Sequence, residues 1–134
     1  MHLNQDFKDL LFALNDAGAD YLVVGAHALA AHGHVRATKD LAIWVRPELA
    51  NAQRVYGALD AFGAPLASLS VGDLATPGIV FQIGVAPIRI DIITAIDGVT
   101  FEEAWPARVL WRYGDRGAPC LASAELRRGE ATTR

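Results

Sequence analysis

The chain has 134 residues, enough for one domain with a sizeable core. Hydrophobic residues make up 52% and charged residues 20%, a composition that excludes a disordered chain. The net charge of −3 argues against a general nucleic-acid binder, and the single cysteine, Cys120, excludes an internal disulfide and a cysteine metal cluster.

The most apolar stretch, residues 78–96, is interrupted by Gln82, Arg89 and Asp91. Because charges near a bilayer centre are costly and a span needs about 20 apolar residues, we predict no transmembrane helix. The first residues lack the basic stretch and apolar core of a signal peptide. We therefore expect a cytoplasmic protein without membrane partners.

In the first third of the chain, residues 5–17 have apolar side chains at helical spacing and predict an amphipathic helix. Residues 21–24 are a short apolar run rich in strand formers and predict a buried strand that ends at Gly25. An alanine-rich helical turn follows over 27–32. Residues 39–45 alternate in polarity, which predicts a second strand.

The remaining helices and strands are predicted from the spacing of apolar residues and from the proline and glycine residues between them. Pro47 favours the start of a helix over 47–61, and a helical turn is expected near 71–74. Strands are predicted over 79–83 and 88–94, then a short helix over 101–105, a strand over 108–111 and a helix that Ser123 caps. The fold class is mixed α/β, with a small mixed sheet of about four to five strands and helices packed on it. We expect residues 1–134 to form one domain, shortened at the C-terminus because that last helix barely begins.

Two aspartates stand on the predicted strands. Asp40 opens the second strand, and Asp91 lies among isoleucines on a later one. An aspartate in so apolar a strand is unfavourable unless it is paired, hydrogen-bonded or bound to a metal. Taken alone, a pair between Arg89 and Asp91, or a strand-end aspartate that caps a loop, explains the pattern without any catalytic role.

The strand that ends at Gly25 and the helix after it favour a ligand-binding role for the two aspartates over simple pairing. The first N–H groups of a helix lack internal partners and attract anions. Asp40 follows fifteen residues later. A phosphate cradle beside carboxylates suits a nucleoside triphosphate bound with Mg²⁺, which prefers hard oxygen ligands.

Three motifs in order carry a resemblance: VGAHALA at 24–30, RATKDLAI at 36–43 and RIDIIT at 89–94. Together they resemble the polymerase-β-like nucleotidyltransferase superfamily, and most closely its small bacterial branch with abortive-infection and toxin–antitoxin members. The family pattern is Gly-Gly or Gly-Ser at a helix start, Asp-x-Asp on the next strand and a third aspartate on a later strand. The resemblance covers about residues 21–105.

The resemblance implies a nucleotidyltransferase that moves a nucleoside monophosphate from a triphosphate to an acceptor hydroxyl. Asp40 would be a ligand to both Mg²⁺ ions, and Asp91 a ligand to the one that activates the attacking hydroxyl. Both would be catalytic. The nucleotide would be bound by Gly25, Ala26, Arg36, Thr38 and Arg89. Gly25 and Ala26 would face the triphosphate, while the arginines would steady phosphate charge or pair with aspartates.

Ala42 departs from the pattern, because it occupies the second position of Asp-x-Asp and supplies no ligand oxygen. We expect weaker metal binding and impaired catalysis. Three explanations stand, in this order: an engineered inactivating change, a degenerate homologue that binds nucleotide without catalysis, or a replacement carboxylate such as Asp73 or Glu48.

Candidate acceptors are a tRNA, a partner protein or a small molecule such as an aminoglycoside. The short chain has no obvious acceptor-binding domain, so an antitoxin-type partner or a homo-oligomer is expected to contribute. The rival interpretation is a non-catalytic nucleotide-binding or partner-binding module on the same fold. A third is an unrelated α/β interaction domain in which Arg89 and Asp91 only pair.

Overall fold

The structure is a computed structural model that describes residues 5–24, 40–85, 88–113 and 116–121. For residues 40, 85, 88, 111–113 and 116 it describes the backbone only. The predicted helices over 27–32 and after Ser123 lie outside the described residues.

Helices and strands alternate irregularly along the chain. The helices are α1 (Gln5–Asp16), α2 (Leu49–Phe62), α3 (Val71–Leu74) and α4 (Phe101–Ala104), the last continued by a 3₁₀ turn at Trp105–Ala107. The strands are β1 (Tyr21–Val24), β2 (Asp40–Val45), β3 (Val80–Val85), β4 (Ile88–Ile93), β5 (Val109–Tyr113) and β6 (Arg116–Cys120). None of these helices is long and apolar enough to span a membrane.

One mixed sheet holds all six strands in the order β3-β4-β2-β1-β6-β5. The pairs β2–β4 and β1–β6 are parallel, and the other neighbours are antiparallel. The predicted mixed α/β fold class is therefore confirmed, with one strand more than the sequence analysis expected.

The additional strand, β6, was missed because Gly117 and Pro119 are poor strand formers. Pairing with β5 and β1 overrides that local preference. The N–H of Leu121 donates to the carbonyl of Val23 at 3.0 Å, and Cys120 is fully buried. Tertiary contacts, and not propensity, thus hold this segment extended.

The two faces of the sheet carry separate apolar clusters, as the alternation in β2 predicts. Leu41, Ile43 and Val45 are buried against the layer formed by α1, α2 and α3, which we call the helical layer. Trp44 lies on the opposite face and packs with Phe101 of α4. Ala42 and the polar side chains of β4 lie on this second face, which α4 covers only in part.

A buried threonine ties the end of β4 to the loop before β3. The Thr94 hydroxyl donates to the carbonyl of Thr76 at 2.7 Å and accepts from the N–H of Ile79 at 2.8 Å, and Thr94 is 1% exposed. Replacement by valine would leave both backbone groups without this partner.

We therefore expect Thr94→Val to lower the free energy of unfolding by about 2 kcal/mol, measured by urea titration. Thr94→Ser keeps the hydroxyl and is the matched control. A valine variant as stable as the serine variant would contradict the assigned role of the hydroxyl.

Candidate functional site

The parallel pairing of β2 with β4 places Ala42 beside Asp91 and Asp40 beside Arg89. Neighbouring strands run about 4.8 Å apart, so residues in register are close neighbours. On the far side of β4, Gln82 of β3 is in register with Asp91, and on the far side of β2, Val24 is in register with Ala42. Val24, Ala42, Asp91 and Gln82 thus form one row across four strands, which we call the Asp91 row.

The Asp91 carboxylate has two polar neighbours within the sheet. Gln82 Nε2 donates to Asp91 Oδ1 at 3.2 Å, and Arg89 Nε lies 3.8 Å from the same oxygen. The Asp91 side chain remains 25% exposed and that of Arg89 35% exposed. The ion pair considered from the sequence is therefore present at a long distance, and the carboxylate is still open to solvent.

Neither replacement carboxylate considered from the sequence lies in the Asp91 row. Asp73 belongs to the helical layer, where its carboxylate accepts from the N–H of Ser70 at 3.0 Å as part of a helix cap. Glu48 is on the correct side of the sheet but lies beyond the end of β2. With about 3.3 Å per residue, the end of β2 at Val45 is itself about 10 Å along the strand from Ala42.

Few of the described residues near the Asp91 row have side chains that could bind a metal ion. Among the described residues no three His, Cys, Asp or Glu side chains group into a metal site. Mg²⁺, however, is commonly held by one or two carboxylates together with water and substrate phosphates. Asp91, open to solvent, belongs to that donor class, and the backbone of Asp40 lies two register positions along β2 from Ala42, the residue opposite Asp91. A complete two-metal set would need a further carboxylate.

A cleft of about 340 Å³ opens on the same face as the Asp91 row, beyond Trp44. Phe101 and Val99 line it together with Trp44, and Glu48 and Glu102 lie at it with Arg46. The walls are mainly apolar and the charged groups are mainly acidic. Such a cleft favours an apolar or cationic group over a triphosphate.

Arg46 is held rigidly at this cleft. It pairs with Asp20 at 2.9 Å and with Glu102, and its guanidinium lies over the rings of Phe101 and Trp105 at 4.8 and 5.4 Å. Burial by itself would lower the pKa of Arg46, but the hydrogen bonds to Glu102 and Asp20 raise it. Arg46 therefore stays charged, and its charge is neutralised by carboxylates within the chain.

Trp44, which lines the cleft, carries a buried indole N–H. It is 1% exposed, and its indole N–H has no hydrogen-bond partner in the described part of the chain. A buried donor without an acceptor costs about 1–3 kcal/mol.

Sequence reasoning missed Asn51, which organises the approach to the cleft. It is fully buried in α2, its Oδ1 accepts from the N–H of Asp20 at 2.7 Å, and its Nδ2 donates to the carbonyls of Asp20 and Arg46. The signal for it was a polar residue at an apolar position of the helical pattern, between Leu49 and Val55.

Four of the predicted nucleotide-binding residues, Gly25, Ala26, Arg36 and Thr38, lie outside the described residues. The structure brings the other candidates together: Ala42, Asp91 and Arg89 on one face, with the backbone of Asp40 in register beside Arg89. The positions that carry the predicted metal chemistry are therefore adjacent.

Comparison with known proteins gives the fold a name. No family model matches the sequence, and no curated protein matches it. A crystal structure of a Thermotoga maritima protein, provisionally designated a nucleotidyltransferase, matches with a TM-score of 0.63 over 97% of this chain and 86% of that one. The fold is nucleotidyltransferase-like. At 12% identity, this likeness concerns the nucleotidyltransferase-like fold alone.

Proposed function

We propose that this nucleotidyltransferase-like fold is built to transfer a nucleoside monophosphate from a triphosphate to an acceptor hydroxyl, and that Ala42 impairs the reaction in this chain. The observation that carries the proposal is the register of β2 with β4, which sets Ala42 beside Asp91 and Asp40 beside Arg89. Asp40, Ala42 and Asp91 occupy the positions at which the resemblance implies catalytic carboxylates.

In this proposal Asp91 and Asp40 would hold Mg²⁺ with the triphosphate, and the metal would neutralise charge at the reacting phosphate. The acceptor oxygen would bond to the α-phosphate as pyrophosphate leaves. Asp91 also accepts the proton of the attacking hydroxyl. Gln82 fixes one carboxylate oxygen of Asp91 by its hydrogen bond. Arg89, close to Asp91, steadies phosphate charge. Gly25, Ala26, Arg36 and Thr38 bind the triphosphate.

We place the acceptor in the cleft next to the Asp91 row. Trp44, about 7 Å along β2 from Ala42, lines this cleft. The carboxylate of Glu48 at the cleft disfavours a triphosphate there. The candidate acceptors are a tRNA end, a protein side chain and a small molecule. Among them, a cationic small molecule or a basic protein segment complements the negative charge at this cleft best. A toxin-type role with an antitoxin partner belongs to the same proposal.

A second candidate function follows from Ala42 itself. Because alanine offers no oxygen beside Asp91, the same scaffold could bind nucleotide or a partner protein without catalysis. The two candidates share triphosphate binding and differ in turnover.

Calorimetry with Mg²⁺ and each nucleoside triphosphate tests what they share. We expect weak binding that depends on Mg²⁺, and we expect Asp91→Asn to lose the dependence on Mg²⁺ because it removes an anionic ligand. Gln53→Asn, an exposed change in α2, is the control. Failure of every triphosphate to bind, with alanine and with aspartate at position 42 alike, would refute both candidates.

A further inference from the structure

Strand β5 forms one edge of the sheet, and within the described part of the chain no strand pairs with its outer side. Leu110 is 74% exposed and Val109 is 40% exposed. Because neighbouring residues of a strand point to opposite faces, β5 presents an exposed apolar side chain on each face of the sheet. Residues 106–108, which lead into the strand, are exposed as well. We call this feature the β5 edge.

The backbone of Leu110 faces the open side of β5. The N–H of Leu121 donates to the carbonyl of Val23 in β1 at 3.0 Å, and by alternation Pro119 directs its backbone toward β1 as well. Pro119, in register with Leu110, has no N–H to donate to β5. The two therefore form a non-hydrogen-bonded pair, in which each residue directs its N–H and C=O away from the other strand. Leu110, and Arg112 two residues later, thus offer these groups to a further strand.

Strand β5 lacks the features by which edge strands commonly avoid pairing. It contains no proline or lysine, and its register with β6 runs without a bulge from Val109 to Tyr113. Its sequence, VLWRY, consists mostly of strong strand formers. The opposite edge strand, β3, contains Gly84 with φ of 79°, a conformation that interrupts a regular strand. Of the two edges, β5 is the better template for an added strand.

Basic residues stand on either side of the exposed Leu110. Arg108 immediately precedes β5, and Arg112 occupies the position two residues beyond Leu110. The guanidinium carbon of Arg108 lies 4.0 Å from the centre of the Trp105 ring, and its Nη1 donates to the Trp105 carbonyl at 2.9 Å. These contacts hold the side chain in place, and no carboxylate of the described chain pairs with it. The charge of Arg108 is therefore available to an anionic group.

We propose that the β5 edge binds an acidic extended segment of a partner protein as a seventh strand of the sheet. Backbone hydrogen bonds to Leu110 and Arg112 supply the pairing, and acidic side chains of the segment stand opposite positions 108 and 112. A second copy of this chain complements the edge less well. An antiparallel pair centred on Leu110 would set Arg108 of each copy opposite Arg112 of the other, and like charges directly opposite are destabilising.

The first test uses a fluorescein-labelled peptide, Ser-Thr-Glu-Thr-Val-Thr-Glu-Thr-Ser, whose glutamates have the spacing of positions 108 and 112. One matched peptide has lysine in place of glutamate. Another has N-methyl groups on the valine and the threonine after it, which removes an N–H from each edge of the peptide. We expect fluorescence anisotropy to show that the first peptide binds about tenfold more tightly than either control, and less tightly as salt is raised. Equal affinity for the three peptides, or no binding of the first, would overturn the proposal.

Leu110→Pro removes the outward N–H and leaves the hydrogen bonds between β5 and β6 in place, so we expect it to abolish peptide binding. Leu110→Thr keeps the N–H and the strand propensity, and as the matched control it should retain binding. Circular dichroism verifies that both variants are folded. Binding that survives Leu110→Pro in a folded protein would overturn the proposal.

Charge reversal gives a readout that does not depend on proline. Arg108→Glu should remove the preference for the glutamate peptide, and adding Arg112→Glu should reverse the preference in favour of the lysine peptide. Arg54→Glu, the same change at an exposed position of α2, is the control and should keep the original preference. An unchanged preference in the double variant would contradict the proposal. So would tighter binding of a single-stranded oligonucleotide than of the glutamate peptide, or self-association through β5 in light scattering.

The β5 edge is separated from β4 and Asp91 by three strands, about 19 Å at the usual spacing, so this inference does not rest on the proposed function. Peptide binding should be the same with and without Mg²⁺ and a triphosphate. Loss of nucleotide binding with intact peptide binding would count against the proposed function alone, and the reverse result against the β5 edge alone.

Discussion

Replacing Ala42 by aspartate is expected to raise Mg²⁺-dependent nucleotidyl transfer by about two to three orders of magnitude. The new carboxylate would stand beside Asp91 across the parallel pair of strands and two residues from Asp40. It would complete the set of hard oxygen ligands and neutralise more of the charge that develops at the reacting phosphate. The measurement is transfer of label from each α-labelled triphosphate to bulk tRNA, cell lysate protein or small acceptors.

A second readout of Ala42→Asp does not depend on knowing the acceptor. In chelator, two carboxylates facing each other on neighbouring strands repel, so the variant should melt at a lower temperature than the chain with alanine. Millimolar Mg²⁺ should restore the melting temperature because the cation neutralises both groups.

Ala50→Asp is the matched control, since it adds the same charge at an exposed position in the first turn of α2. It should show neither the loss in chelator nor the recovery with Mg²⁺. The proposal that this chain is an impaired enzyme loses its support under two joint results. The Ala42→Asp variant would transfer no label to any acceptor, and its melting temperature would not change with Mg²⁺.

Asn51→Ala is expected to lower the free energy of unfolding by about 3 kcal/mol, the largest stability effect that we predict. The Asn51 side chain satisfies the N–H and carbonyl of Asp20 and the carbonyl of Arg46, and all three bonds are partly buried. Alanine would leave the N–H of Asp20 and the carbonyl of Arg46 without this partner, while the carbonyl of Asp20 keeps the N–H of Arg46 at 3.2 Å. Chemical denaturation followed by circular dichroism measures the change.

Gln53→Ala, two residues along the same helix at an exposed position, is the control and should change stability by less than about 0.5 kcal/mol. Asn51→Asp separates the two halves of the side chain. It keeps the acceptor for the N–H of Asp20 but sets a carboxylate oxygen against two carbonyls, so it too should be destabilised. An alanine variant as stable as the Gln53→Ala control would show that the buried amide is dispensable.

Much of the fold could be predicted from local pattern. The amphipathic spacing of α1, the alternation of β2 and the isoleucines of β4 each assign an element and a buried face, and the structure confirms all three. Gly63 ends α2 in a left-handed conformation with φ of 94°, as its position after the apolar pattern indicates. These features depend on contacts within one or two turns of the chain.

The candidate site was predictable only in part. The motif order pointed to Asp40, Ala42, Arg89 and Asp91, but sequence alone left open whether Asp91 served only to pair with Arg89. The structure adds Gln82 as a partner and shows the Arg89 contact to be long. Gln82 could not be assigned from the sequence, because its place beside Asp91 depends on the β3–β4 register.

The sequence by itself determined that this chain is a mixed α/β protein, which faces of its strands are buried, and that position 42 carries no ligand oxygen. These follow from residue identity and short-range periodicity. The tertiary structure decided that Ala42 lies beside Asp91, that 116–120 forms a strand despite Gly117 and Pro119, and that Gln82 donates to Asp91. Each depends on packing between segments far apart in the chain, where the burial of apolar side chains, and not local conformational preference, fixes the register.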